Sequence, residues 1–102
     1  MSRIAGTIAG MLIAGVAAAE TPPPAAAPCA ACHGANGLSV MPDAPNLAAQ
    51  PRAYLVEQLK AFRSGKRASE TMNLMAKNLS DADIQALSDW YSGIVVEVKP
   101  RP

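Results

Sequence analysis

Cys29-Ala30-Ala31-Cys32-His33-Gly34 decides how the rest of this 102-residue chain is read. Two thiols separated by two residues, with an imidazole directly after them, are spaced to add across the two vinyl groups of one haem and to offer its iron an axial nitrogen. The chain has two cysteines and one histidine, so its whole supply of both lies in this stretch. A thioredoxin-like dithiol would sit beside a βαβ pattern and has no need of the histidine. No strand-rich segment precedes Cys29. A zinc knuckle needs four ligands, whereas Cys29, Cys32 and His33 make three, with no second Cys/His pair to close the tetrahedron.

Upstream, Arg3 is followed by an apolar run from Ile4 to Val16 and then by Ala17-Ala18-Ala19. This is the pattern of a secretory signal peptide over residues 1–19, cut before Glu20. The apolar run falls short of the ~20 residues a membrane span needs, so membrane attachment is expected only if the segment stays uncleaved. Export places the protein in the periplasm. Two cysteines there would ordinarily pair, but a bridge over two intervening residues closes too small a loop to stabilise a domain. Thioether bonds to haem use both thiols instead.

Without Arg3 the chain carries eight Lys and Arg against eight Asp and Glu. That balance points to neither nucleic acid nor bulk attraction to acidic membranes. Residues 20–102 include few aromatics and can bury only a small core, which a large, flat, covalently held haem would complete.

Residues 20–28 read as a Pro/Ala-rich linker, since Thr21-Pro22-Pro23-Pro24 cannot be α-helical and Ala25-Ala26-Ala27-Pro28 allows at most one turn. The haem domain spans residues 29–93. Gly34-Ala35-Asn36-Gly37 opens a loop that continues through Met41-Pro42-Asp43-Ala44-Pro45, and an irregular segment of this length is expected to wrap a ligand. Pro51 suits a helix start, Tyr54, Leu55, Leu59 and Phe62 recur at helical spacing, and Ser64-Gly65 ends that helix. A short helix over residues 70–77 contains Met72 and Met75. Ser80 is an N-cap, Asp81 and Asp83 suit the positive helix end, and Ile84, Leu87, Trp90 and Tyr91 form a buried stripe that stops at Gly93. Residues 94–102 are an extended tail rich in β-branched residues.

A low-spin electron carrier needs its second axial position filled, and a thioether sulfur favours ferrous iron. Met41, Met72 and Met75 lie beyond the cleavage site. Met41 follows His33 too closely to cross the haem plane within a proline-constrained loop. Met72 and Met75 lie beyond a full helix, so the chain can return over the opposite face, and the spacing leaves both open.

Cys29-x-x-Cys-His-Gly, Pro45-Asn46-Leu47-Ala48-x-Gln50, Tyr54-Leu55, Gln58-Leu59, Phe62-Arg63-x-Gly65-x-Arg67, Met72 and Leu79-Ser80-Asp81-x-Asp83-Ile84 with Trp90-Tyr91 stand in the order of a family. Together they resemble a small bacterial class I c-type cytochrome, from Cys29 to about Gly93. The resemblance implies an all-α fold of small helices around one covalent haem c. It implies thioether bonds at Cys29 and Cys32, His33 as proximal iron ligand, the Pro45 carbonyl as acceptor for the second ring nitrogen of His33, and Met72 in preference to Met75 as the other axial ligand. A weaker similarity runs from Phe62 to Ala76. Arg63-Ser64-Gly65-Lys66-Arg67, Ser69 and Thr71-Met72 resemble the cytochrome subunit of flavocytochrome c sulfide dehydrogenases, and Arg67 there is a candidate partner for a haem propionate.

Two departures stand out. Ala49 occupies a position where the family usually has glycine, which puts the turn before Gln50 in question. The family's N-terminal helix, which crosses the last one, is shortened or absent here, so the face bearing Trp90 and Tyr91 needs cover from the tail at Ile94 to Val98 or from a partner. The function expected is electron transfer by a periplasmic monohaem cytochrome with redox partner proteins and no bond chemistry of its own. The alternative is the haem-bearing subunit of a flavoprotein dehydrogenase. A five-coordinate haem enzyme or gas sensor would need both Met72 and Met75 to be filler, and no distal acid/base pair stands at recognisable spacing.

Overall fold

Ser80 and Asp83 close the start of the last helix on each other: the Ser80 hydroxyl accepts the Asp83 N–H at 3.0 Å, and the Asp83 carboxylate accepts the Ser80 N–H at 3.1 Å. This reciprocal cap satisfies two N–H groups that a helix start otherwise leaves unbonded. The computed structural model describes residues 2–11 and 21–102. Residues 2–11 form no regular secondary structure, while residues 12–20, with the expected cleavage position, lie outside the described residues. Four α-helices follow: α1 (Ala30–His33), α2 (Arg52–Ser64), α3 (Glu70–Ala76) and α4 (Asp81–Ser92), preceded by a 3-10 turn at Pro24–Ala26. Among the described residues there is no strand, and no helix is long and apolar enough to cross a membrane.

The expected helices form where local chemistry places them. Pro51 is the N-cap of α2, and Gly65 caps its end. Ser69 caps α3 through its hydroxyl, which accepts the Met72 N–H at 3.2 Å. Helix α2 packs on both α3 and α4. Leu55 of α2 meets Leu87 and Tyr91 of α4 in the core. Burial of each such leucine is worth roughly 1.5–3 kcal/mol. At the surface Arg52 reaches from α2 to Asp89 and Gln85 on α4, and Arg63 holds the Leu79 carbonyl at 3.1 Å and the Asp81 carboxylate at 2.7 Å.

The N-terminal segment differs from a free linker. Ala26 is 4% exposed and belongs to the core cluster with Leu55, Leu87 and Tyr91. Prolines cannot donate the bonds of an α-helix, but Pro24 suits the first position of a 3-10 turn, and the small alanines let that turn lie close on α4. This single turn packs on α4, with Ala26 against Leu87 and Tyr91. Ile94 also packs there, whereas Val95 and Val98 are exposed, so the tail does not fold back.

Candidate haem site

Helix α1 is one turn long and, with its N-cap Cys29, carries the whole thiol and imidazole set. The His33 N–H bonds the Cys29 carbonyl at 3.0 Å, which places Cys29 and Cys32 three residues apart on one helical face. Both thiols are free and partly buried, and His33 is 7% exposed. Gly34 then turns the chain with φ +80°; a Cβ there would stand 1.9 Å from the Leu38 carbonyl oxygen, so only glycine fits. Gly37 is held as tightly, with φ +73° and a notional Cβ 2.8 Å from the Ala48 nitrogen and 2.9 Å from the Tyr91 ring.

The irregular segment after α1 is fixed by its own bonds. Val40 N–H reaches back to the Cys32 carbonyl at 3.1 Å, and the Asn46 side chain accepts the Ser39 N–H at 2.7 Å. Pro45 is thereby brought over the imidazole, its carbonyl oxygen 2.8 Å from His33 Nδ1. A carbonyl only accepts, so Nδ1 carries a proton, and Nε2 is the ring nitrogen left to bind a metal.

Two clefts meet at this histidine. One, of about 300 Å³, is lined by Cys29, Cys32, His33, Met41, Asp43, Pro45, Ser69, Met72 and Met75. The other, of about 270 Å³, is lined by His33, Asp43, Pro45, Leu55, Leu59, Phe62, Arg67, Ser69 and Met72. His33 and Met72 line both, whereas Met41 and Met75 line the first alone. Arg67 lines the second, its guanidinium 4.6 Å from the Phe62 ring centroid and bonded to the Gln58 side chain at 2.7 Å.

Cys29 also faces the core. Burial pushes its thiol pKa up, against the smaller lowering by the Tyr91 hydroxyl. Tyr91 is pushed up to about 12, by burial first and then by the Cys29 sulfur. The thiolate is the reactive form, so Cys29 is a poor spontaneous nucleophile at neutral pH.

The residues present fit a haem: two free thiols on one face, an imidazole with a fixed proton and its other nitrogen left to bind a metal, a thioether lining the same space, and apolar walls of cofactor size. Fold and cleft together define a small protein built around a covalent haem. A family model described as cytochrome c matches residues 25–92, and the chain belongs to that family. Its cofactor is haem c, for which Cys29 and Cys32 with His33 make up one binding motif. The chain is 42% identical over 98 residues to the thiosulfate dehydrogenase electron acceptor of Thiomonas intermedia, covering 94% of this chain and 45% of that protein. Cytochrome c-554(548) of Halomonas halodenitrificans is 42% identical over 67 residues, 63% of this chain and 81% of that protein. The solved structure of Acidithiobacillus ferrooxidans cytochrome c4 superposes with a TM-score of 0.62 at 35% identity, over 65% of this chain and 38% of that one. The chain therefore spans most of the second protein and less than half of the other two.

One residue outside the clefts, next in sequence to Met72, escapes sequence reading. Asn73 sits mid-helix in α3 and bonds three backbone groups outside its own turn of helix or at its start. Its signal was present: asparagine is a poor interior helix residue, and one found there is worth checking for a backbone partner.

Proposed function

We propose that this chain is a periplasmic electron carrier, not an enzyme, with His33 and Met72 as the axial ligands of its one haem. The observation that carries this reading is that these two side chains line both clefts while Met41 and Met75 line one. When bound, the haem supplies the chemistry, its iron passing between ferric and ferrous states. The protein's own part would be to offer His33 and Met72 to the iron in either state. Pro45 fixes the His33 ring through Nδ1 and raises the basicity of the ligating nitrogen. The Met72 thioether, as a ligand, would favour the ferrous state and so raise the potential. Arg67, oriented by Phe62 and Gln58, offers a guanidinium to a carboxylate at the second cleft. Ala31 is exposed beside the thiols and allows a partner close approach there.

Redox partner proteins are implied by this role. A thiosulfate-oxidising dehydrogenase is the donor we favour, supported by the likeness over nearly the whole chain to the Thiomonas intermedia electron acceptor. A flavoprotein dehydrogenase is the second reading, supported by the residues from Arg63 to Met72. Native purification with haem and flavin absorption, followed by reduction with thiosulfate and a thiosulfate dehydrogenase, tests these. Rapid reduction of a flavin-free particle is the expected result. A flavin-containing particle that thiosulfate does not reduce would favour the second reading. Rapid carbon monoxide binding by the resting ferrous protein would contradict electron transfer through a closed iron.

A further inference from the structure

We propose that Asn73 is a positioning residue that holds Met72 in the haem cleft. The inference rests on the reading of Met72 as axial ligand and adds what keeps it in place. Helix α3 has seven residues, and a helix that short does not hold its shape alone. Its position must come from tertiary ties.

Asn73 supplies two of them from one side chain, and a third bond braces the start of its own helix. Its Oδ1 accepts the Ser69 N–H at 2.8 Å, at the N-cap of α3. Its Nδ2 donates to the Phe62 carbonyl at 2.9 Å, in the last turn of α2, and to the Arg67 carbonyl at 2.9 Å, in the connection between the helices. The Phe62 carbonyl is one of those a helix end leaves short of partners, with a long 3.4 Å bond from Gly65 as its other contact. Both donors and the acceptor of the amide are thus committed, to three backbone groups on two helices and their reversal. Met72 precedes Asn73 directly, and its own N–H is held by the Ser69 hydroxyl at 3.2 Å. Loss of the amide frees the start of α3 from the end of α2, and the Met72 backbone with it.

Carbon monoxide affinity of the ferrous haem-loaded protein reads how firmly the thioether holds its place, and the thioether-to-ferric-iron charge-transfer absorption reads the same bond in the oxidised state. Asn73→Ala is expected to bind carbon monoxide about tenfold more tightly and to weaken that absorption, at temperatures where helix content is unchanged. Asn73→Asp keeps the acceptor for Ser69 and loses both donors; it is expected to behave alike and serves if the alanine variant does not fold. Arg52→Ala cuts a tie between α2 and α4 away from the clefts, controls for general destabilisation, and is expected to leave both readouts at the native level. If Met72→Ala opens the iron while both Asn73 variants stay within about twofold of the native protein, Asn73 does not position the ligand. If Met72→Ala leaves the iron closed, the ligand assignment itself fails, and this inference with it.

Discussion

His33 Nδ1 and the Pro45 carbonyl oxygen, twelve residues apart in the chain, stand 2.8 Å from each other. The bond sets the tautomer and the plane of the imidazole before any metal is present. Pro45→Gly keeps the carbonyl and frees the backbone that aims it. The expected outcome is about tenfold easier displacement of His33 from iron by an external ligand, measured by titration of the ferric protein. Unchanged displacement would mean that the loop is held by other bonds.

Ala49 is the one non-glycine among the described residues with positive φ, at 62°. Its N–H bonds the Tyr91 carbonyl at 3.0 Å, so a tertiary bond to the end of α4 holds a conformation that alanine resists. Ala49→Gly is expected to raise stability by ~0.5–1 kcal/mol, read as a higher urea midpoint with an unchanged slope. A lower midpoint would show that glycine's extra freedom in the unfolded chain outweighs the strain.

Ser88 is fully buried in α4, and its hydroxyl has no hydrogen-bond partner among the described residues. An unpaired buried hydroxyl costs more than it contributes, and alanine is the better helix former. Ser88→Ala is expected to stabilise the fold by about 1 kcal/mol. Destabilisation in thermal melts would mean that the hydroxyl finds a partner in solution.

Asp81 is held below the ordinary carboxylate range by its hydrogen bond from Arg63, then by the charges of Arg63 and Lys60. A depressed folded-state pKa stabilises the fold above the unfolded value of 3.8, and that contribution is lost as pH falls through the lowered value. The stability difference between the native protein and Asp81→Asn is therefore expected to shrink on titration from about pH 7 to about pH 2. A difference that persists at the acid end would place its origin outside this ion pair.

The thiol-bearing cleft is lined by exposed Met41 and Met75, with Asp43 as its one carboxylate and no lysine or arginine. A surface with a single charged side chain offers little of the steering that makes charged interfaces salt-sensitive. The electron-exchange rate with the donor is expected to change by less than about threefold between low and high salt, whereas a charged dock would lose about tenfold or more.

Much of this fold was legible because its signals are local. Ser80 with Asp83, Ser69 before α3, and Gly65 after α2 satisfy nearby backbone groups and can be read within a few residues. The pentapeptide was legible for the same reason, since the chemistry of covalent haem attachment lies wholly inside it. What escaped depends on distant partners. Helix α1 is too short to show a period, and Ala26 reveals its burial only when α4 arrives against it. Asn73 was not singled out by the sequence, and its three partners are spread from Phe62 to Ser69.

Met72 and Met75 lie three residues apart on one short helix, and the account depends on telling them apart. The most direct measurement is ferrous carbon monoxide binding by haem-loaded Met72→Ala and Met75→Ala side by side. The account predicts that Met72→Ala binds carbon monoxide rapidly and loses its low-spin spectrum, while Met75→Ala keeps a closed iron. A Met72→Ala protein that remains six-coordinate and refuses carbon monoxide would contradict it.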